Sequence, residues 1–120
     1  MLKKSLSDLE SFVAGDATII REWLHPKNDE VELAYSIAFA EVNPGAASLR
    51  HILKTSSEIY IILEGEGIAH VGGEIQAVKS GDLVLIPAGE EQFIENTGTD
   101  NLKFICVVSP PWRSDDEVVF

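Results

Sequence analysis

The chain has 120 residues and a hydrophobic content of 45%, enough for one core and too short for two. Twenty acidic against nine basic side chains leave a net charge of -11, which argues against nucleic acid as a partner, because such binding draws its affinity from Lys and Arg. No apolar run reaches the roughly 18 residues that a membrane helix needs, no secretory signal follows the two early lysines, and the single cysteine, Cys106, permits no internal disulfide. A cytoplasmic location is therefore expected, with no membrane partner.

In chain order, Leu2, Leu6, Leu9 and Val13 recur every three or four residues, and Ser7 with Glu10 has the spacing of a capping box. A short helix is predicted over residues 5–14. Gly15 and Asp16 break it, and Ala17 to Leu24 reads as a strand entering a His25-Pro26-Lys27-Asn28-Asp29 turn, with His25 at the surface. Glu32 to Val42 alternates Tyr35, Ile37 and Phe39 with the small residues Ser36, Ala38 and Ala40, so a second strand is predicted. The small face permits close packing or leaves room for a ligand. Because both faces are largely apolar, the pattern does not choose which looks inward, and burial on both sides makes a homodimer the expected assembly.

The stretch Pro44 to Gly67 places Gly45, His51, Glu58 and Gly65 at spacings of six, thirteen and twenty, with a polar turn from Lys54 to Ser57 between the two titratable groups. In an extended strand Glu58, Tyr60 and Ile62 share one face and Ile59, Ile61 and Leu63 the other. Gly67–Val71 and Glu74–Val78 form a hairpin through Gly72-Gly73, with a solvated His70 beside the turn. Ser80-Gly81-Asp82 turns the chain into a buried strand, Leu83 to Ile86, and Pro87-Ala88-Gly89 turns it back. Gln92 to Asn96 and Leu102 to Val108 are the closing strands, Cys106 reading as a small core hydrophobe. Two prolines then end the last ladder. Trp112 is expected to pin the tail or to cap a pocket mouth, with Arg113 as an anion contact; Arg21, Arg50 and Lys54 are the other cations considered. Many short strands, each followed by a turn signal, argue for an all-β sandwich or barrel of jelly-roll type.

PGAASLRHILKTSSEIYIILEGEG resembles the first motif of the cupin superfamily: Gly, five residues, His-x-His, three or four residues, Glu, six residues, Gly. GDLVLIPAGEEQFIEN resembles the second, with Gly81, Pro87, Gly89 and Asn96 at the family spacing. The resemblance implies a single cupin domain over residues 1–120: the helix at 5–14, a jelly-roll barrel (double-stranded β-helix) at about 17–109, and a tail at 110–120. Leu53 replaces the second His of the first motif, and Gln92 replaces the His of the second.

The family's roles imply a divalent metal in the barrel held by His51 and Glu58, with the amide oxygen of Gln92 as a third candidate. Such a mixed set does not distinguish Zn, Fe, Mn, Ni or Co, and the same side chains can instead close a hydrogen-bond network in a metal-free pocket. Tyr60, Ile94, Asn96, Cys106 and Trp112 are the candidate pocket residues. Three classes of function follow: a metal-binding cupin that acts on or senses a small organic molecule, a metal-free binder of a sugar or small polyol, and a dimeric structural domain with a vestigial pocket.

Overall fold

Backbone pairing sorts the strands into two antiparallel sheets, as seen in a computed structural model that describes residues 1–120. One sheet runs in the order β1 (Phe12–Val13), β2 (Ile19–Leu24), β3 (Ser36–Val42), β10 (Leu102–Ser109), β5 (Ser57–Glu64) and β8 (Leu83–Ile86). The other runs β11 (Glu117–Val119), β4 (His51–Leu53), β9 (Gln92–Asn96), β6 (Glu66–Val71) and β7 (Glu74–Lys79). Together they make a jelly-roll barrel, as the resemblance implies.

Period-two alternation fixes which residues enter the barrel. β10 buries Leu102, Phe104, Cys106 and Val108, and β5 buries Glu58, Tyr60 and Ile62 on the same inner face. The core closes with Val42, Ile86 and Ile94, and the Tyr60 ring lies tilted against Phe104 at 4.8 Å between centroids. On β3 the small residues Ser36, Ala38 and Ala40 carry the inward parity, opposite Val108, Cys106 and Phe104. Short side chains there leave one end of the barrel unfilled.

Three local expectations are corrected. Residues 5–14 form no helix: only Leu6–Asp8 makes a single 3-10 turn, and Phe12 and Val13 pair as β1 with Ile20 and Ile19. A helix of that length is marginal on its own, and the edge of β2 offers the backbone a ladder instead. The segment is anchored by Lys4, whose Nζ meets Asp29 at 2.9 Å and whose carbonyl accepts from Trp23 Nε1.

His25 is buried, not at the surface. Its Nδ1 accepts from the Lys27 backbone N–H, which caps a one-turn helix, Pro26–Asp29, while Nε2 donates to the carbonyl of Trp112 at 2.8 Å. Leu83 to Ile86 is not buried throughout: it is an edge strand with one face on the core, so alternation turns Val84 and Ile86 inward and leaves Leu83 and Leu85 exposed. His70 lies stacked on Phe93 at 3.9 Å, its Nε2 3.2 Å from Glu95 Oε2.

Candidate metal centre and ligand cavity

His51 reaches the barrel interior because β4 buries alternate residues, and its Cα partner across the ladder is Gln92 on β9. The two motifs are thus neighbours in one sheet, with Glu58 facing them from the other. All three side chains are at least nine-tenths buried.

The group of ligand atoms that converges around His51 is nevertheless formed with residues from the two ends of the chain. Asp16, in the turn between β1 and β2, and Glu117, at the start of β11, each bring a carboxylate oxygen within 4.8 Å of a His51 ring nitrogen and of each other. His51 Nε2 stands 3.6 Å from Asp16 Oδ2. Its Nδ1 donates to the Leu49 carbonyl at 2.8 Å, so Nε2 is the ring nitrogen turned toward the carboxylates. A ring nitrogen facing two carboxylates needs a proton or a cation between them.

Each carboxylate is also held from behind. Thr18 donates to Asp16 Oδ1 through both Oγ1 (2.6 Å) and its backbone N–H (3.1 Å), leaving Oδ2 free. Trp112 Nε1 donates to Glu117 Oε2 at 3.2 Å. Burial, and then Asp16, raise the Glu117 carboxyl, with His51 and Trp112 pulling the other way.

Glu58 lies in the same field. Burial first, and then the charges of Asp16 and Glu117, push its carboxyl up to about 8. Gln92 and the Cys106 thiol lie near enough to favour its anion in part, although neither reaches hydrogen-bond geometry with it. Burial likewise pushes the Tyr60 phenol and the Cys106 thiol well above their ordinary values, with Glu58 adding to both. Burial therefore works against a thiolate at Cys106.

The Gln92 amide oxygen accepts from Tyr60 at 2.6 Å, so its donor capacity toward an ion is already shared, and its Nε2 is buried without a partner. Leu53, in the slot where the first motif has its second His, closes that side with an aliphatic wall.

Beside these groups lies a cavity of about 230 Å³. Tyr60, Cys106 and Trp112 line it together with His51, Glu58, Asp16 and Glu117. Ile94 and Asn96 share Gln92's face, yet both are taken up by the fold further along the barrel. Ile94 is fully buried in the core, and Asn96 donates to the Val42 and Asp100 carbonyls while its Oδ1 accepts from Gly98.

None of the cations considered faces the cavity. Arg113 turns to Asp115 and Asp116, Arg50 pairs with Glu91, Arg21 sits opposite the outward-facing Phe39, and Lys54 is exposed. Asp16 and Glu117 escaped the sequence reading because one looked like a helix breaker and the other lay in a polar tail. The only local hint was the Asp-x-Thr spacing of the turn that orients Asp16.

Residues 38–108 match the family described as Cupin domain. An uncharacterized protein of Methanocaldococcus jannaschii is 38% identical over 116 residues, which cover 97% of this chain and 92% of the relative. A Thermotoga maritima protein named oxalate-binding protein is 40% identical over 65 residues, 54% of each chain. Among solved structures, a predicted oxalate decarboxylase from Thermotoga maritima superposes with a TM-score of 0.79 at 26% identity, covering 92% of this chain and 99% of that one. No helix of the structure is long and apolar enough to cross a membrane.

Proposed function

The chain belongs to the cupin family, and from that premise we propose that it binds a divalent metal ion through Asp16, His51 and Glu117 and receives a small organic molecule in the adjoining cavity. One observation carries this reading: each of the three side chains is tied through one atom, to Thr18, Leu49 or Trp112, and leaves another turned toward the common point. Side chains held this way have already lost the rotamer freedom that ligation takes from a mobile group. Two carboxylates and an imidazole suit a borderline divalent ion and leave positions for water or ligand.

When bound, such an ion supplies Lewis acidity and lowers the pKa of a coordinated water or ligand hydroxyl. The chain's own residues set the surroundings. Leu53, Phe104 and Val108 keep the walls apolar, Tyr60 and Gln92 lock each other in place, and Glu58 can hold or release a proton near neutral pH. The name of the Thermotoga maritima relative makes oxalate the first small molecule to try.

Protein purified without chelator and dialysed against Zn, Mn, Co, Ni or anaerobic Fe(II) is expected to retain about one ion per chain by elemental analysis. Asp16→Asn, His51→Ala and Glu117→Gln should each weaken retention by about tenfold or more. Wild-type protein that keeps no stoichiometric ion under any of these conditions would overturn the reading.

A further inference from the structure

We infer that this site takes a small acid whose head is a pair of adjacent oxygens on the ion, as in oxalate, and whose body is compact and aliphatic and lies against Ala38 of β3. This rests on the metal reading of the same site and adds the class of molecule: a 2-oxo acid with an apolar side chain, not a sugar or polyol.

The walls of the cavity divide by sheet. His51 and Glu117 belong to β4 and β11 of the five-stranded sheet, and Asp16 joins them from the turn before β2. The six-stranded sheet supplies Ile20, Ala38, Ala40 and Phe104. Register puts Ala40 between Ile20 and Phe104, with Ala38 beside Cys106, so these side chains share the inward face. Ala38 and Ile20 pack on the core, yet both stay only partly buried. What the core leaves uncovered of them lines the cavity, an apolar surface that a ligand can remove from water. A larger side chain at position 38 would fill that space, and alanine keeps it open.

The polar side chains of the wall decide what the body can be. Apart from the three ligands, Glu58 and the partly exposed Glu22, each already has a protein partner. Thr18 is bonded to Asp16, Tyr60 to Gln92, Ser36 to the Trp112 N–H, and His25 through its two ring nitrogens to Lys27 and Trp112. The hydroxyls of a sugar or polyol would be buried there with few partners, at a cost for each. No Lys or Arg lines the cavity, so a second charge at the far end of a ligand finds no counterpart. An aliphatic body meets neither cost and gains from burial. An apolar cavity of about 150 Å³ holds benzene, whereas this one measures about 230 Å³, so oxalate by itself leaves much of the apolar wall uncovered.

The test is calorimetric titration of the full chain, zinc- or manganese-loaded and metal-free, with pyruvate, 4-methyl-2-oxopentanoate and 2-oxoglutarate, with metal content measured on the same samples. The first two share the chelating head and differ by an isobutyl group in place of methyl. Since each buried carbon is worth about fourfold in affinity, 4-methyl-2-oxopentanoate is expected to bind the loaded protein at least about tenfold more tightly than pyruvate. 2-Oxoglutarate, charged at both ends, should gain nothing over pyruvate. Ala38→Leu, with native circular dichroism and metal content confirmed, should bring the first two within about threefold of each other. Ala38→Val is the milder filling if leucine disturbs the fold.

Equal or undetectable binding of pyruvate and 4-methyl-2-oxopentanoate by the loaded protein overturns the inference and leaves the metal reading standing, as does tighter binding of 2-oxoglutarate than of the aliphatic acid. A preference unchanged by filling at position 38 refutes the placement against Ala38. Binding of equal strength with and without the ion refutes the chelating head. Failure to retain either ion refutes the metal reading and the inference together.

Discussion

His51 acts as a potential ligand because of a backbone atom, the Leu49 carbonyl that takes its Nδ1 proton, and Asp16 because of Thr18. Thr18→Ala removes the hydroxyl donor without touching a ligand atom. It is expected to weaken metal retention by about tenfold while leaving the fold intact, checked by metal titration beside circular dichroism. Glu58 gives a second test at this scale. Its carboxyl is pushed up to about 8 from an ordinary 4.5, chiefly by burial, so between those values the metal-free folded chain holds a proton that the unfolded chain has lost. Stability from this source is complete at acid pH and drains away as pH rises through about 8. Glu117, also raised, slopes the same way. The thermal midpoint of metal-free protein should therefore fall from about pH 5 to pH 8, and Glu58→Gln should flatten that fall.

At the scale of elements, the C-terminal tail is part of the barrel. β11 pairs with β4, Phe120 N–H reaches the Arg50 carbonyl, and Trp112 is held by Ser36 Oγ and His25. The anchor is Asp116, 2% exposed, whose carboxylate accepts from the Thr55 hydroxyl and from the Thr55 and Ser56 N–H groups. Burial opposes its charge, yet these bonds and Arg113 outweigh that and hold its carboxyl below the usual range. Asp116→Ala should cost about 2–3 kcal/mol in urea unfolding and loosen Glu117, so metal retention should weaken with it. In the same five-stranded sheet β6 runs so close to β9 that a Cβ on Gly67 would collide with the Glu95 carbonyl. Gly67→Ala should destabilise by about 1–3 kcal/mol in the same measurement. The strands themselves were legible from alternation, while the amphipathic stripe from Leu2 to Val13 misled because strand pairing overrode a weak helical preference.

For the whole molecule, the outward face of the six-stranded sheet is aliphatic across three strands. Leu85, Ile59 and Val107 lie in one row and Leu83, Ile61 and Ile105 in the next, with both leucines more than half exposed. We propose that a second copy of the chain covers this face, since a two-fold contact sets the same rows against each other. Sedimentation at micromolar concentration should give a dimer, and Ile61→Lys or Leu85→Lys should shift it toward monomer. A monomeric wild type would refute the arrangement.

What the sequence determined by itself was the local part: most of the strands and which residues share a face, turns at the glycines, and the cupin spacing of His51 and Glu58. Those follow from neighbours a few residues apart, because strand parity repeats every second residue. Which face of β3 looks inward, and that Asp16 and Glu117 join His51, was decided only by tertiary structure. Convergence of the two chain ends depends on β1 closing against β2 and β11 against β4, and such long-range pairings leave no periodic mark in the residues that make them.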